Sequence, residues 1–228
     1  MNDYVLHYAP DNASLCVRLM LEEIGLAYRT ALVDRAAKGQ YAPAYLALNP
    51  NGLIPALETP QGVMFETAAI LLWLSETHGL MGVRPGSPNR GAFLKWLFFL
   101  SNTVHPALRR RFYAVQYIGA DKEMQAQLQE VARQELLRIF AILEHAKDLP
   151  PPLTVFDCYL CPIIRWAKVY PNKSQNDWFD LGDFPRLSAR AEAFEARPAL
   201  QTVATAEGLG ETPFTDPQLP QPPEGSAV

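Results

Sequence analysis

The first third of the chain switches between two hydrophobic periods, one typical of strands and one typical of helices. Tyr4 to Tyr8 (YVLHY) is rich in strand-favouring residues. From Ser14 to Ile24 apolar side chains recur at helical spacing, and Gly25 ends that helix. Ala27 to Val33 predicts a second strand. A strand, a helix and a strand within this length form a βαβ unit, so the two strands are predicted to pair in parallel.

The same region continues with a second set of short elements. A short helix is predicted near Ala42 to Leu48. Ile54 to Glu58 and Val63 to Phe65 predict two strands, which are joined by a turn at residues 59–62. Glu66 to His78 predicts a helix. The region is therefore predicted to be a βαβ unit followed by a β-hairpin and a helix.

A Gly/Pro-rich segment at residues 82–89 (GVRPGSPN) leads into a region with helical periodicity. The predicted helices run from Arg90 to Tyr117, from Asp121 to Lys147, from Thr154 to Tyr170 and, as one or two helices, from Phe184 to Ala206. Glu211 to Val228 is proline-rich and is expected to be extended or mobile. We predict an α/β domain at residues 1–81, a linker at 82–89, an all-α domain at 90–210 and a tail at 211–228.

The composition argues against several classes of function. The formal net charge is −4, which gives no general basis for nucleic-acid binding. The longest apolar stretches contain charges or prolines, so no membrane span is expected, and no signal peptide is visible. Three cysteines do not make a disulfide framework in a chain of 228 residues, which favours a cytoplasmic location.

The segment Asn49 to Ala56 (NPNGLIPA) is the most specific local pattern. A proline that opens a strand after an Asn-Gly turn is a plausible cis position, which is Pro55 here. The backbone of Leu53 and Ile54 can then pair with a bound peptide as a further strand would. An ordinary turn at the edge of a sheet is the alternative interpretation.

The segment Phe65 to Ile70 (FETAAI) places a polar pair at a predicted helix start. Thr67 can cap the helix, and together with free N–H groups it can bind a carboxylate. Glu66 can accept a hydrogen bond from a ligand ammonium group. Plain capping is the alternative interpretation.

The turn after the first strand (YAPDNASLCVR, residues 8–18) contains a cysteine that is tempting as a nucleophile. Cys16 lies inside the predicted helix, however, and free cysteines commonly pack as small apolar side chains. Cys158 and Cys161 have the spacing of a redox pair but also lie inside a helix rather than at its first turn. Core packing is therefore predicted for all three, and no second ligand pair accompanies them to form a zinc site.

Several motifs occur in a fixed order: YAP, EEIG, NPNGLIPAL and FETAAILLWL in the first region and LTVFDCYL in the second. In LTVFDCYL, Thr154 can serve as the N-cap of a capping box and Asp157 stands at its third position. Together these motifs resemble the cytosolic glutathione transferase family, and its bacterial beta class in particular. The resemblance covers Tyr4 to Leu209. It implies a thioredoxin-like α/β N-terminal domain followed by an all-α C-terminal domain.

The resemblance implies an enzyme that uses glutathione as its co-substrate and requires no metal. Such proteins often lower the pKa of the glutathione thiol, so that the thiolate attacks a small hydrophobic electrophile or reduces a peroxide or disulfide. The resemblance also implies a homodimer and a role in detoxification. A non-catalytic binding or regulatory protein with the same fold is the alternative.

The resemblance assigns glutathione contacts residue by residue. The cysteinyl part is assigned to Leu53, Ile54 and Pro55, the γ-glutamyl end to Glu66 and Thr67, and the glycyl carboxylate to Lys38. Thr67 stands where serine is more usual, and the hydroxyl is kept.

The catalytic assignment departs from the beta-class pattern. Ala13 stands at the position of the class's cysteine, so the mixed-disulfide chemistry of that class is absent. Ser14 and Asn12 remain as candidates to stabilise a thiolate, with helix capping as the alternative for Ser14. His105 is assigned to the cleft between the domains, with Pro106 in place of the family's lysine. A core or surface histidine is the alternative.

Two residues of the helical region are assigned to the electrophile pocket. Trp166 is expected to form one wall, and a buried aromatic side chain is the alternative. Arg109 begins a run of three arginines, which is usually a solvated face, and it is expected to reach the pocket.

Overall fold

The computed structural model describes residues 4–171 and 178–227, so residues 1–3 of the predicted first domain and residue 228 of the tail lie outside it. Four strands form a single mixed sheet: β1 (Val5–Tyr8), β2 (Arg29–Leu32), β3 (Ala56–Thr59) and β4 (Gly62–Phe65). Their order is β2-β1-β3-β4, with β1 parallel to β2 and antiparallel to β3. The predicted βαβ unit and the hairpin are both present.

Three helices accompany the sheet: α1 (Ser14–Glu23), α2 (Pro43–Leu46) and α3 (Thr67–His78). Helices α1 and α3 pack against each other, and the apolar face of α1 is fully buried. The predicted strand and helix positions in this region are confirmed to within a few residues. Strand β1 and helix α1 bury apolar side chains at the spacing that predicted them, whereas the edge strands β2 and β4 are mostly exposed.

The helical region contains α4 (Arg90–Phe99), α5 (His105–Phe112), α6 (Ala114–Ile118), α7 (Lys122–His145), α8 (Val155–Val169), α9 (Pro185–Glu195) and α10 (Pro198–Glu207). The helix predicted from Arg90 to Tyr117 is interrupted at two points. A π-helical turn at Leu100–Val104 lies between α4 and α5, although the backbone stays helical there, and Tyr113 separates α5 from α6. Pro106 explains the first interruption, because a proline removes one helical hydrogen bond and crowds the carbonyl group four residues earlier.

Helix α8 runs through the middle of the hydrophobic core, and all of its side chains except Lys168 are buried. Its predicted capping box is present: the backbone N–H of Thr154 donates to Oδ2 of Asp157 at 2.9 Å. One cluster of buried apolar residues joins side chains of the sheet, such as Leu6, to side chains of α8, such as Ile164. The two regions of the chain therefore share a core.

The tail contains no helix or strand within residues 211–227, yet it packs on the helical region. Phe214 is fully buried and stacks on Phe194. The N–H of Gln221 donates to the carbonyl oxygen of Gly208 at 2.8 Å. Gly208 has a φ of +63°, and a Cβ atom there would lie 2.0 Å from the carbonyl oxygen of Gln221, so only glycine fits. The tail, which was expected to be extended or mobile, therefore packs against the helical region.

Candidate active site

A cavity of about 380 Å³ lies between the sheet region and the helical region. It is lined by the turn between β1 and α1, the segment before β3, the start of α3, the helix α5 and the end of α8. Ala227 of the tail also contributes to the lining. Residues that are far apart in the sequence therefore meet at one concave surface.

The turn between β1 and α1 is anchored by Asp11, a residue that the sequence analysis did not single out. Asp11 is buried and has a φ of +52°, which is uncommon for a residue with a side chain. Its carboxylate accepts hydrogen bonds from Nε and Nη2 of Arg165 at 2.9 Å each. It also accepts from the indole of Trp166 at 2.9 Å and from the hydroxyl of Tyr170 at 2.7 Å. No local pattern reveals this role, because all three partners belong to the segment at α8.

Ser14 does not reach the cavity. It is the first residue inside α1 and is fully buried. Its hydroxyl donates to the carbonyl oxygen of Ala9 at 3.1 Å and accepts from the N–H of Ala9 at 3.4 Å. The expectation that Ser14 caps α1 is wrong, because the capping position is Ala13. The hydroxyl of Ser14 lies in the protein interior and is not available to a ligand.

Asn12 and Ala13 do line the cavity. The side-chain nitrogen of Asn12 donates to the carbonyl oxygens of Pro10 at 2.8 Å and of Ala227 at 3.1 Å. Both N–H groups of this amide are therefore already hydrogen-bonded within the protein. The backbone N–H of Ala13 has no acceptor in the described part of the chain. It is therefore a backbone donor without a protein partner among the described residues, at the positive end of the α1 dipole.

The segment before β3 has the predicted cis bond between Ile54 and Pro55. The carbonyl oxygen of Leu53 accepts hydrogen bonds from the hydroxyl of Tyr45 and the amide of Asn49, both at 2.7 Å. The backbone groups of Ile54 have no partner within residues 4–171 and 178–227. Leu53, Ile54 and Pro55 all line the cavity, and Ile54 presents the unpaired N–H and C=O pair.

Glu66 and Thr67 stand at the start of α3 and line the cavity. Glu66 precedes the helix with a φ of +73°, an uncommon conformation that aims the chain into α3. Thr67 is the first helical residue rather than the cap. Neither side chain has a hydrogen-bond partner in the described part of the chain, so both polar groups are available to a ligand.

Lys38 does not line the cavity; it is exposed and has a φ of +56°. Arg35, from the same loop, lines it instead and donates to Oδ1 of Asn12 at 3.1 Å and to the carbonyl oxygen of Ala227. Gln40 also lines the cavity, and its buried Oε1 has no hydrogen-bond partner in the structure as described. The sequence feature that could have identified Arg35 is its position as a second cation in the same loop, three residues before Lys38.

His105 lies at the start of α5 and lines the cavity beside Trp166, with 5.4 Å between the ring centroids. Its Nδ1 is 2.8 Å from the hydroxyl oxygen of Tyr159. Burial lowers the pKa of His105 to about 4, and the positive charge of Arg109 contributes. The imidazole is therefore neutral at neutral pH.

The two residues assigned to the electrophile pocket, Trp166 and Arg109, both line the cavity. The three cysteines do not: Cys16, Cys158 and Cys161 are fully buried, as predicted, and burial raises the pKa of each thiol. A thiol with a raised pKa is a poor nucleophile at neutral pH.

Among residues 4–171 and 178–227, no cluster of His, Cys, Asp and Glu side chains is suited to hold a metal ion. Within the same residues, none of the helices combines the length and the apolar character that a membrane crossing requires.

The comparison with known proteins agrees with the geometry of this site. A family model described as the N-terminal domain of glutathione S-transferase matches residues 13–77. A solved glutathione S-transferase from Xylella fastidiosa is 30% identical, and the match covers 91% of this chain and 100% of that one with a TM-score of 0.71. The chain belongs to the glutathione S-transferase family.

Other relatives indicate the range of proteins with this fold. The disulfide-bond oxidoreductase YfcG of Escherichia coli is 28% identical, over 90% of this chain and 96% of its own length. A glutathione transferase from Burkholderia graminis, solved with two glutathione molecules bound per subunit, is 25% identical with a TM-score of 0.76. That match covers 90% of the present chain and 88% of the Burkholderia graminis chain.

Proposed function

We propose that this family member is a glutathione transferase that binds glutathione in the cavity and activates its thiol. The observation that carries the proposal is a set of unpaired polar groups around one cavity. The backbone of Ile54, the side chains of Glu66 and Thr67, and the N–H of Ala13 have no protein partner in the described part of the chain. Glutathione supplies a complementary group for each of them.

The γ-glutamyl end of glutathione carries one carboxylate and one ammonium group. The hydroxyl of Thr67 and the first N–H groups of α3 bind the carboxylate, because a helix N-terminus favours an anion. The carboxylate of Glu66 pairs with the ammonium group. The cysteinyl part binds through its own N–H and C=O groups to the backbone of Ile54, in the manner of an added strand.

The glycyl end is bound by Arg35 rather than Lys38. Arg35 reaches the cavity, and its guanidinium group can bind a carboxylate through two parallel hydrogen bonds. The unpaired amide oxygen of Gln40 accepts a hydrogen bond from a ligand N–H beside it. We assign no glutathione contact to Lys38, which is exposed and does not line the cavity.

The glutathione thiolate is stabilised by the N–H of Ala13 and by His105. The N–H of Ala13 combines a hydrogen bond with the positive end of the α1 dipole. Tyr159 is buried with a raised pKa, so its hydroxyl keeps its proton and donates to Nδ1 of His105. The imidazole proton is then on Nε2, from which it is donated to the sulfur. Ser14 is left out of the catalytic group, and Asn12 holds the turn.

The reaction is a conjugation or a reduction by the thiolate. In conjugation the sulfur forms a bond to the electrophilic carbon, the leaving group departs with its electron pair, and the thiol proton passes to water. Trp166 and Arg109 lie on the electrophile side of the cavity. The relatives named as transferases favour this activity over a non-catalytic module with the same fold.

Further properties belong to the same proposal. The glutathione-binding unit comprises residues 1–81 and the electrophile-binding unit residues 90–210. The protein is a cytoplasmic homodimer that acts in detoxification. Within the family we assign it to the neighbourhood of the bacterial beta class. Exposed apolar side chains support a dimer contact, since Phe65 and Phe98 are 36% and 44% exposed.

The test combines binding and turnover. Calorimetry should detect glutathione binding, and the purified protein should conjugate glutathione to chlorodinitrobenzene. Glu66→Gln should weaken glutathione binding by about 10–100-fold, since a hydrogen bond to a charged group is worth about 1.5–3 kcal/mol. Glu76→Gln, at an exposed position in α3 away from the cavity, is the control. Binding without turnover in the wild type would instead support the non-catalytic module.

A further inference from the structure

The arginine run at the end of α5 places Arg109 at the cavity, without a carboxylate partner in the described part of the chain. Arg110 forms an ion pair with Glu135. Arg111 is buried over the ring of Trp178 at 4.9 Å. Arg109 lines the cavity, and no carboxylate of the described residues lies within ion-pair distance of it. Its guanidinium carbon lies 5.5 Å from the centre of the Tyr113 ring, and this stacking holds it in place.

The acidic groups that share the cavity are committed elsewhere. The carboxylate of Asp11 is occupied by Arg165, Trp166 and Tyr170. Glu66 stands at the start of α3 and has been assigned to the glutathione ammonium group. A guanidinium group that lines a partly apolar cavity without an internal anion is available to bind an anionic ligand.

The walls around Arg109 suit a flat carbon body. Phe112, Tyr113 and Trp166 provide aromatic faces, and Gln116 provides an amide group. Aromatic faces stack well on aryl rings and on other planar conjugated systems. A ligand that fills this side of the cavity would therefore combine a planar apolar part with one negative charge.

We propose that Arg109 selects an electrophilic co-substrate that carries a carboxylate on a planar apolar body. This inference rests on the proposed function, because it names the substrate class for the second half of the same site. The carboxylate binds the guanidinium group of Arg109 while the planar part lies against the aromatic walls. The glutathione sulfur then attacks the electrophilic carbon, the leaving group departs with its electron pair, and the thiol proton passes to water.

The experiment compares two aryl chlorides that differ by one charge: chlorodinitrobenzene, which is neutral, and chlorodinitrobenzoate. Each kcat/KM is divided by the rate constant of the uncatalysed reaction with glutathione, which removes the difference in intrinsic reactivity. The wild type should favour the benzoate. Arg109→Met should lower the benzoate-to-neutral ratio by about 10–100-fold, and Arg109→Lys should restore part of it, because it keeps the charge without the bidentate geometry.

Two controls make the result decisive. Arg110→Met removes a neighbouring charge that is paired with Glu135, and it should leave the ratio unchanged. Binding of dinitrobenzoate, which has no leaving group, is measured by calorimetry in the presence of glutathione, so the anion site is tested even if the protein catalyses no conjugation. Equal ratios in the wild type and Arg109→Met, together with equal dinitrobenzoate affinity, would overturn the inference. If the wild type turns over neither chloride but Arg109→Met weakens dinitrobenzoate binding, the result would contradict the proposed function and leave the anion site at Arg109 supported.

Discussion

Asp11 and Arg165 form a fully buried, two-point ion pair between the β1–α1 turn and the helix α8, with both N–O distances at 2.9 Å. Nη1 and Nη2 of Arg165 also donate to carbonyl oxygens of the tail, those of Pro213 at 3.2 Å and Gln218 at 2.9 Å. One guanidinium group thus joins the turn, the helix and the tail. It fixes the position of the turn that lines the cavity.

Removing one partner of this pair should destabilise the protein strongly. Asp11→Ala leaves the charge of Arg165 buried without compensation, and we expect a loss of about 3–5 kcal/mol in the free energy of unfolding. Urea denaturation measures this loss. Asp11→Ala combined with Arg165→Met should recover part of it, because neither charge then remains buried alone. Asp183→Ala, at an exposed position, should change the value by less than about 0.5 kcal/mol. Similar losses of stability in Asp11→Ala and Asp183→Ala would show that the buried ion pair does not stabilise the protein more than an exposed carboxylate does.

Arg35 and Lys38 should differ sharply in their effect on glutathione affinity. Arg35→Met removes the cation at the cavity, and the dissociation constant for glutathione should rise by about 10–100-fold. Lys38→Met is the matched control, and its affinity should stay within about twofold, because Lys38 is exposed and outside the cavity. Calorimetric titration measures both. The opposite ranking would return the glycyl contact to Lys38.

Glu207 should give the stability of the protein an unusual dependence on pH. Burial raises the pKa of Glu207 from 4.5 to about 7, although its carboxylate accepts from the N–H of Asp11 at 2.8 Å and from Arg18 at 3.4 Å. Between these two values the folded state holds a proton that the unfolded state has lost. The free energy of unfolding therefore falls as the pH rises from 4.5 to 7, by about 3 kcal/mol from this group.

The measurement is urea denaturation of the wild type and Glu207→Gln across this pH range. The amide cannot titrate, so the stability of the variant should rise relative to the wild type as the pH increases. Glu192→Gln changes an exposed carboxyl group on α9 and should follow the wild type. Parallel curves for the wild type and Glu207→Gln would mean that Glu207 stays charged in the folded protein.

Cys16 should be dispensable for activity. Its thiol is fully buried in α1 and burial raises its pKa, so it supplies no nucleophile. Cys16→Ala should keep kcat/KM within about twofold in the conjugation assay and lose on the order of 1 kcal/mol of stability from the core. A large loss of turnover with normal glutathione binding and a normal circular dichroism spectrum would place the reactive sulfur in the protein.

The elements that the sequence predicts well are those with a local cause. Strand β1 and helix α1 follow from the spacing of apolar side chains, and the capping box at Thr154 follows from two residues three positions apart. Pro106 was equally visible, but it lies within a strongly apolar run whose periodicity favours one continuous helix. The interruption at Leu100–Val104 depends on how that helix packs, which periodicity does not report.

The site is harder to predict from the sequence than the fold, because a shift of one residue in a helix start changes which side chain lines the cavity. With Ala13 rather than Ser14 at the cap of α1, the hydroxyl of Ser14 bonds to the backbone of Ala9 and Ala13 lines the cavity. The roles of Asp11 and Ala227 depend on contacts across most of the chain. Side chains that meet in this way leave no regular spacing in the sequence.

The separation of Asp11 and Arg165 has a consequence for synthesis on the ribosome. The two residues are 154 positions apart, which at about 5–20 residues per second corresponds to a delay of roughly 8–30 s between their additions to the chain. During that time the sheet and α1 can form, but Arg165 is not yet available to the carboxylate of Asp11. The turn that lines the cavity is therefore completed only after α8 docks, and Ala227, which is added after α8, joins it later still.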